Sequence, residues 1–187
     1  MPNWACGNIR IRGSLKDIVR VLENEVLVEG LYRNVKTYER KSYEVKPEME
    51  VDEENNYILL KSPCSGNDML EDVKYLEEYF YVNGSKRNFI EGVGSGDTVV
   101  FDLLRGSRGD DDWVALNEDF KAAWSVQGDI YSQIAVKYGV DIKIMVWERG
   151  MEFEQVIIAY RDGRHEEFLP DVSGDWAWKA VHPMYGG

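Results

Sequence analysis

From Asn8 to Arg12 polar and apolar side chains alternate, with Ile9 and Ile11 on one side, and Gly13 closes the run immediately before Ser14. That period belongs to a half-buried strand. Ser14 can cap a helix with its hydroxyl, Asp17 stands three positions on as in a capping box, and Leu15, Ile18, Val19 and Leu22 recur at i, i+3, i+4 and i+7. The helix is predicted to run to about Val26, with Gly30 beyond it. Downstream the pattern returns: Phe120 to Trp124 reads as a short apolar strand, Ser125 as a cap, and Ile130, Ile134 and Tyr138 as the buried face of a helix ending at Gly139. Val140 to Trp147 follows as a strand with Ile142, Ile144 and Val146 on one face and Met145 and Trp147 on the other. The two units read as halves of one α+β domain, its helices packed on one sheet, and 187 residues suffice for a single domain over 1–187.

The rest of the chain is less regular. Leu31 to Val51 is charged, with Tyr32, Val35, Tyr38, Tyr43 and Val45 scattered through it, and reads as exposed strands or a loop; Tyr57 to Leu60 is a short strand. Pro63 to Asn67 breaks it. A helix is predicted over Asp68 to Tyr81, with Asp68, Glu71 and Asp72 at its positive end, Met69, Val73, Leu76 and Phe80 as its stripe, and Asn83-Gly84 as its stop. Asn88 to Gly92 and Thr98 to Leu104 read as strands around the glycine string Gly92-Val93-Gly94-Ser95-Gly96. Phosphate-cradling loops lead into a helix, whereas this one leads into Thr98-Val99-Val100-Phe101, so a hairpin turn is expected. Glu152 to Tyr160 and Arg164 to Phe168 form a C-terminal hairpin through Asp162-Gly163.

With 22 basic against 34 acidic residues the net charge is -12, which repels polyanions. Direct nucleic-acid or anionic-membrane binding is therefore not expected. The basic stretches at Arg33 to Lys46 and Lys86 to Arg87 are interleaved with Glu or too short to neutralise many phosphates. Cys6 and Cys64 are too few for a disulfide framework and too far apart for a metal knuckle. Together with the lack of a signal-like or membrane-spanning apolar run, this makes the cytoplasm the expected compartment.

Met1-Pro2-Asn3-Trp4 ahead of the alternating strand, Ala123-Trp124-Ser125 ahead of the later helix, and Glu148-Arg149-Gly150-Met151-Glu152-Phe153 together resemble the YubB/Api92-like ferredoxin-like domain family of plasmid, phage and integrated-element proteins. The resemblance covers roughly residues 1–26 and 110–160. It implies a ferredoxin-like β-α-β-β-α-β sheet with helices on one face. Residues 31–109 are then a middle insertion, and the C-terminal hairpin a further elaboration.

A nucleophile needs a base within reach, and the two histidines, His165 and His182, show no ligand or dyad spacing. Cys64 ahead of the predicted helix could be a favoured thiolate, but no base accompanies it. His165, beside Glu166 and Glu167, fits a cross-strand salt bridge. No cofactor or metal is expected: Asp110, Asp111 and Asp112 offer hard oxygen ligands, yet adjacent carboxylates on an extended backbone diverge. The candidate binding residues are those aspartates and the tryptophans: Asn3, Trp4, Trp113 and Trp124 at the family-like positions, and Trp176 and Trp178, which share a side if the tail is extended. The expectation is a non-enzymatic, acidic protein-binding module of a mobile element, engaging a host or element protein. A nucleic-acid mimic is its sharper form. The alternative is an enzyme with a cryptic site acting on nucleotides or another small molecule, and a homodimer joined through sheet edges is open to any open sheet.

Overall fold

Ser14 Oγ accepts the N–H of Asp17 at 3.1 Å and donates to its carboxylate at 2.7 Å, which opens helix α1 (Leu15–Glu25) directly behind strand β1 (Trp4–Gly13). The computed structural model describes residues 3–63, 73–85, 87–91 and 98–182. After α1 come β2 (Val26–Asn34), β3 (Arg40–Val45), β4 (Glu48–Asp52), β5 (Tyr57–Lys61), β6 (Val73–Val82), β7 (Asn88–Ile90), β8 (Thr98–Arg105) and β9 (Trp113–Ala123). Helix α2 (Gly128–Tyr138), β10 (Asp141–Glu148), β11 (Phe153–Ala159), β12 (His165–Phe168) and the short α3 (Trp176–Lys179) follow among the described residues.

The strands of the described residues join one 12-stranded sheet, and every pairing among them is antiparallel. Its main path is β12-β11-β10-β1-β9-β7-β6-β2-β3, and a branch runs β9-β8-β5-β4. The sheet forks at β9. One edge of β9 pairs with β1 along its length; the other is shared, β7 lying against Phe120–Ala122 and β8 against Trp113–Leu116. The two arms approach each other again at their tips, where only Lys46 and Pro47 separate β3 from β4.

β1 alternates perfectly between half-buried and buried positions. Its inner residues Ala5, Ile9 and Ile11 meet Ile18, Val21 and Leu22 of α1, Tyr131, Ile134 and Tyr138 of α2, and Ile142, Ile144 and Val146 of β10 in one core that also takes in Ile58, Leu60, Val99 and Phe101 from the branch. The buried carboxylate of Glu25 ties the helix ends together, accepting from Lys137 Nζ and Tyr138 Oη at 2.7 Å each and from Asn83 Nδ2 at 3.2 Å. Two close approaches demand glycine. A Cβ on Gly7 would lie 1.8 Å from the Met145 carbonyl oxygen, and one on Gly30 would meet the ring of Tyr43, which crosses that position to reach Glu78.

The ferredoxin-like expectation is corrected by this topology. In place of a small β-α-β-β-α-β sheet carrying an insertion, the chain forms a large, mostly antiparallel sheet in which β3 to β8, all drawn from residues 31–109, are integral strands, with β6 and β7 standing between β9 and β2. The pairing of β1 with both β9 and β10 is nevertheless present, with Trp4 opposite Ala123 and Cys6 opposite Trp147. Where a helix over Asp68 to Tyr81 was predicted, β6 begins at Val73, and Asp68 to Asp72 lie outside the described residues. Phe80, Tyr81 and Val82 are consecutive and all buried, so no alternation marks this strand. β7 and β8 are not paired with each other, which removes the expected hairpin; residues 92–97 are outside the described set. Helix α2 begins behind Gln127 without a side-chain cap, so Ser125 does not serve as one. The Asp162-Gly163 turn does join β11 to β12, with Tyr160 N–H bonded to the Arg164 carbonyl at 2.9 Å. Among the described residues no helix is long and apolar enough to cross a membrane.

Candidate binding cleft at the fork of the sheet

The candidate residues read from the sequence fall at opposite ends of the β1–β9 pair. Trp4 sits beside Ala123 at one end, where the Asn3 carbonyl accepts the Trp124 N–H at 2.9 Å, and Gly13 meets Trp113 at the other, about 30 Å away at strand rise. They do not converge on one site.

At the far end the carboxylates of Asp111 and Asp112 and the backbone carbonyl of Asp110 make internal contacts. The Arg12 guanidinium holds the buried Asp112 with Nε at 3.0 and 3.2 Å from its two oxygens, and the Arg108 N–H adds a bond of 2.8 Å. These bonds, Arg12's first, keep the Asp112 carboxyl well below the usual range against the opposing effect of burial. The Asp111 carboxylate reaches the Leu15 N–H at the start of α1, and the Asp110 carbonyl accepts from Arg105, whose guanidinium lies 3.6 Å over the buried Trp113 ring. Asp141 completes the corner: burial pushes its carboxyl up, but its bonds to Arg161 and Arg108 outweigh that and hold it low.

At the near end Trp4 packs edge-on against Phe89 at 5.4 Å, and Phe89 against Tyr79 at 5.6 Å. Trp124 is 48% exposed with a φ of 72°, an uncommon left-handed conformation for a bulky residue. The tail tryptophans part company because α3 is helical rather than extended. Trp176 is buried on Trp147 with Val172, while Trp178 is 86% exposed. Cys64 lies outside the described residues. No described ion pair involves His165, so the expected cross-strand salt bridge is not among them. Glu148 turns inward and accepts the N–H groups of Gly150 and Met151, which makes the Glu148-Arg149-Gly150-Met151 stretch a turn device.

Between the two ends lies a cleft the sequence did not disclose. On the outer face, away from α1 and α2, Tyr81, Phe89, Lys121, Cys6 and Trp147 are successive register partners across five strands. One step along β1, at Asn8, the ladder slips: Gly7 faces Phe120 and Ile9 faces Asn117, so β9 carries an extra residue at Glu118-Asp119. Here, between the ends of β7 and β8, the shared edge of β9 has no strand beside it among the described residues. Asn117 bridges the gap, Nδ2 donating to the Val100 carbonyl at 2.9 Å and Oδ1 accepting the Asp119 N–H at 3.0 Å. The result is a cleft of about 360 Å³ lined by Cys6, Asn8, Glu91, Glu118, Asp119 and Lys121, with Trp147 and His182 as one wall. The indole and imidazole stack with centroids 4.3 Å apart and planes 22° apart.

Electrostatically the cleft sets three carboxylates, of Glu91, Glu118 and Asp119, against the one ammonium of Lys121. Lys121 is ion-paired with Glu91 at 2.6 Å, and Glu118 and Asp119 have no cation among the described residues. Asn8 Oδ1 is buried and has no hydrogen-bond partner among them. A buried acceptor left open is uncommon in folded proteins and calls for an explanation. The one legible signal was a phase slip: Trp113, Ala115 and Asn117 are inward on one side of the bulge, Phe120 and Ala122 on the other. Comparison with protein-family models, with curated proteins and with solved structures returned no match.

Proposed function

We propose that the chain is a cytoplasmic protein-binding module that takes a cationic side chain of a partner into the cleft at the fork. The observation that carries this reading is the group of three carboxylates, Glu91, Glu118 and Asp119, beside Asn8 Oδ1, which has no hydrogen-bond partner among the described residues. A guanidinium brings five donors and no acceptor, which suits Asn8, Glu118 and Asp119 together, and it stacks favourably on an aromatic face such as the Trp147–His182 wall. The net charge of -12 favours encounter with a basic partner. The resemblance of the chain's ends to mobile-element proteins suggests a host or element protein in that role.

The test is titration of the full chain with N-acetyl-arginine amide, followed by amide NMR, with N-acetyl-citrulline amide as the uncharged isostere. The arginine probe is expected to move the Asn8, Glu118 and Asp119 resonances, and Glu118→Gln with Asp119→Asn to weaken it about fivefold to tenfold. Equal responses to both probes, or none at the cleft, would overturn the reading.

One observation favours the enzyme alternative: Cys6 and His182 line the same cleft, a thiol and a base that sequence spacing did not connect. If His182 activates the thiol, alkylation of Cys6 by iodoacetamide at pH 7 should slow at least about tenfold in His182→Gln. Equal rates would leave the cleft to binding.

A further inference from the structure

Arg10 and Lys143 face each other directly in the β1–β10 ladder, and both point to the outer side of the sheet, Arg10 in line with Asn8 and Cys6, Lys143 in line with Met145 and Trp147. Neither takes part in an ion pair among the described residues, although acidic residues outnumber basic ones by 34 to 22. Arg10 Nε is also buried without a hydrogen-bond partner among them. Like charges directly opposite each other across two strands repel, and a buried donor left open is unfavourable. The next cation along the same face, Arg12, is matched by Asp112, so the fold does neutralise an arginine where nothing else is to be held. Local conflicts of this kind concentrate where a ligand resolves them.

We infer that Arg10 and Lys143 form an anion subsite that receives a carboxylate from the same partner segment whose cation enters the cleft. The inference rests on the cleft reading above and adds polarity and spacing to it. Arg10 stands two residues from Asn8 on one face of a strand, about 7 Å away, which is also the spacing of i and i+2 side chains in an extended peptide. A segment lying along β1 with a basic residue at Asn8 therefore brings the residue two positions away over Arg10 and Lys143. An acidic side chain there meets the Arg10 fork and the Lys143 ammonium together. The target is a basic and an acidic residue separated by one position.

The probes are Ac-Arg-Ala-Glu-NH2 and its reverse Ac-Glu-Ala-Arg-NH2, each compared with its glutamine counterpart, titrated into the full chain and read by NMR at both the Asn8 and the Arg10 resonances. One of the glutamate peptides is expected to bind at least about fivefold tighter than its glutamine counterpart and to move the Arg10 Nε–H signal. The Arg10→Gln, Lys143→Gln double variant should erase that advantage while binding the glutamine peptide as the parent does. Lys143→Gln alone, a change at a half-exposed position, should erase part of it. If glutamate and glutamine peptides bind alike while the cleft signals move, the subsite is wrong and the cleft reading stands. If no peptide moves the cleft signals, the cleft reading falls and takes the subsite with it.

Discussion

Asp112 shows how one side chain can be diverted from an apparent surface role into architecture. It lies among three consecutive aspartates, yet it is buried and held by Arg12 and by the Arg108 N–H, so that the loop before β9 is fastened to the end of β1. Its carboxyl sits well below the usual range, chiefly through the Arg12 bond. A carboxylate lowered in the folded state adds stability in full above its unfolded value near 4, and loses it as pH falls through that value toward the lower folded one. Stability is therefore expected to decline as pH falls from about 5 to 2. Asp112→Asn should lower stability at pH 7 by about 1.5–3 kcal/mol and flatten that acid limb. Urea midpoints measured across the range check both, and an unchanged limb would assign the acid sensitivity elsewhere, Asp141 being the next candidate because its carboxyl is also held low.

At the scale of elements, β9 decides the shape of the molecule, since both arms of the sheet grow from its one shared edge. Asn117 holds the fork, with bonds to Val100 on one arm and to Asp119 across the bulge. Asn117→Leu should fill similar space but strand the Val100 carbonyl and the Asp119 N–H, destabilising the fold by about 1–3 kcal/mol. Hydrogen exchange should quicken at Asp119 while the β10–β11 pair keeps its protection; a uniform change would show that Asn117 is not local to the fork. The elements that could be read most directly from sequence are β1, which alternates without a break, and α1, whose apolar stripe faces the core, while β10 was read from the alternation of Ile142, Ile144 and Val146 and the β11–β12 hairpin from its Asp162-Gly163 turn. β6 could not be read, as Phe80 to Val82 are buried in succession. β9 was half read because its alternation changes phase at Glu118-Asp119, and a short strand from Phe120 was all that survived the slip. The cleft was illegible for a different reason. Cys6, Asn8, Glu118 and Lys121 come together through a register between strands more than 100 residues apart in the chain, whereas the residues singled out by type were tryptophans and aspartates, of which Trp113, Trp176 and Asp112 are taken up by the core and an ion pair and none lines the cleft.

The whole molecule divides its labour between two faces. The inner face carries α1, α2 and the continuous core; the outer face carries the cleft, the Trp4–Phe89–Tyr79 aromatic row and, at one side, the C-terminal segment seated on Trp147. That segment is pinned by backbone N–H groups of Gly174 and Val181 donating to Glu152 and Glu154 at 2.6 and 2.5 Å. Such a division leaves the outer face at the cleft free of α1 and α2, which pack on the inner core.

The position of β9 in the chain also has a temporal side. Its residues, 113 to 123, follow eight strands, seven of which make up the two arms, so during synthesis those arms emerge before the strand that roots them. The β2–β3 and β4–β5 pairs can close early, being local, whereas the joining of β1 to both arms waits for β9.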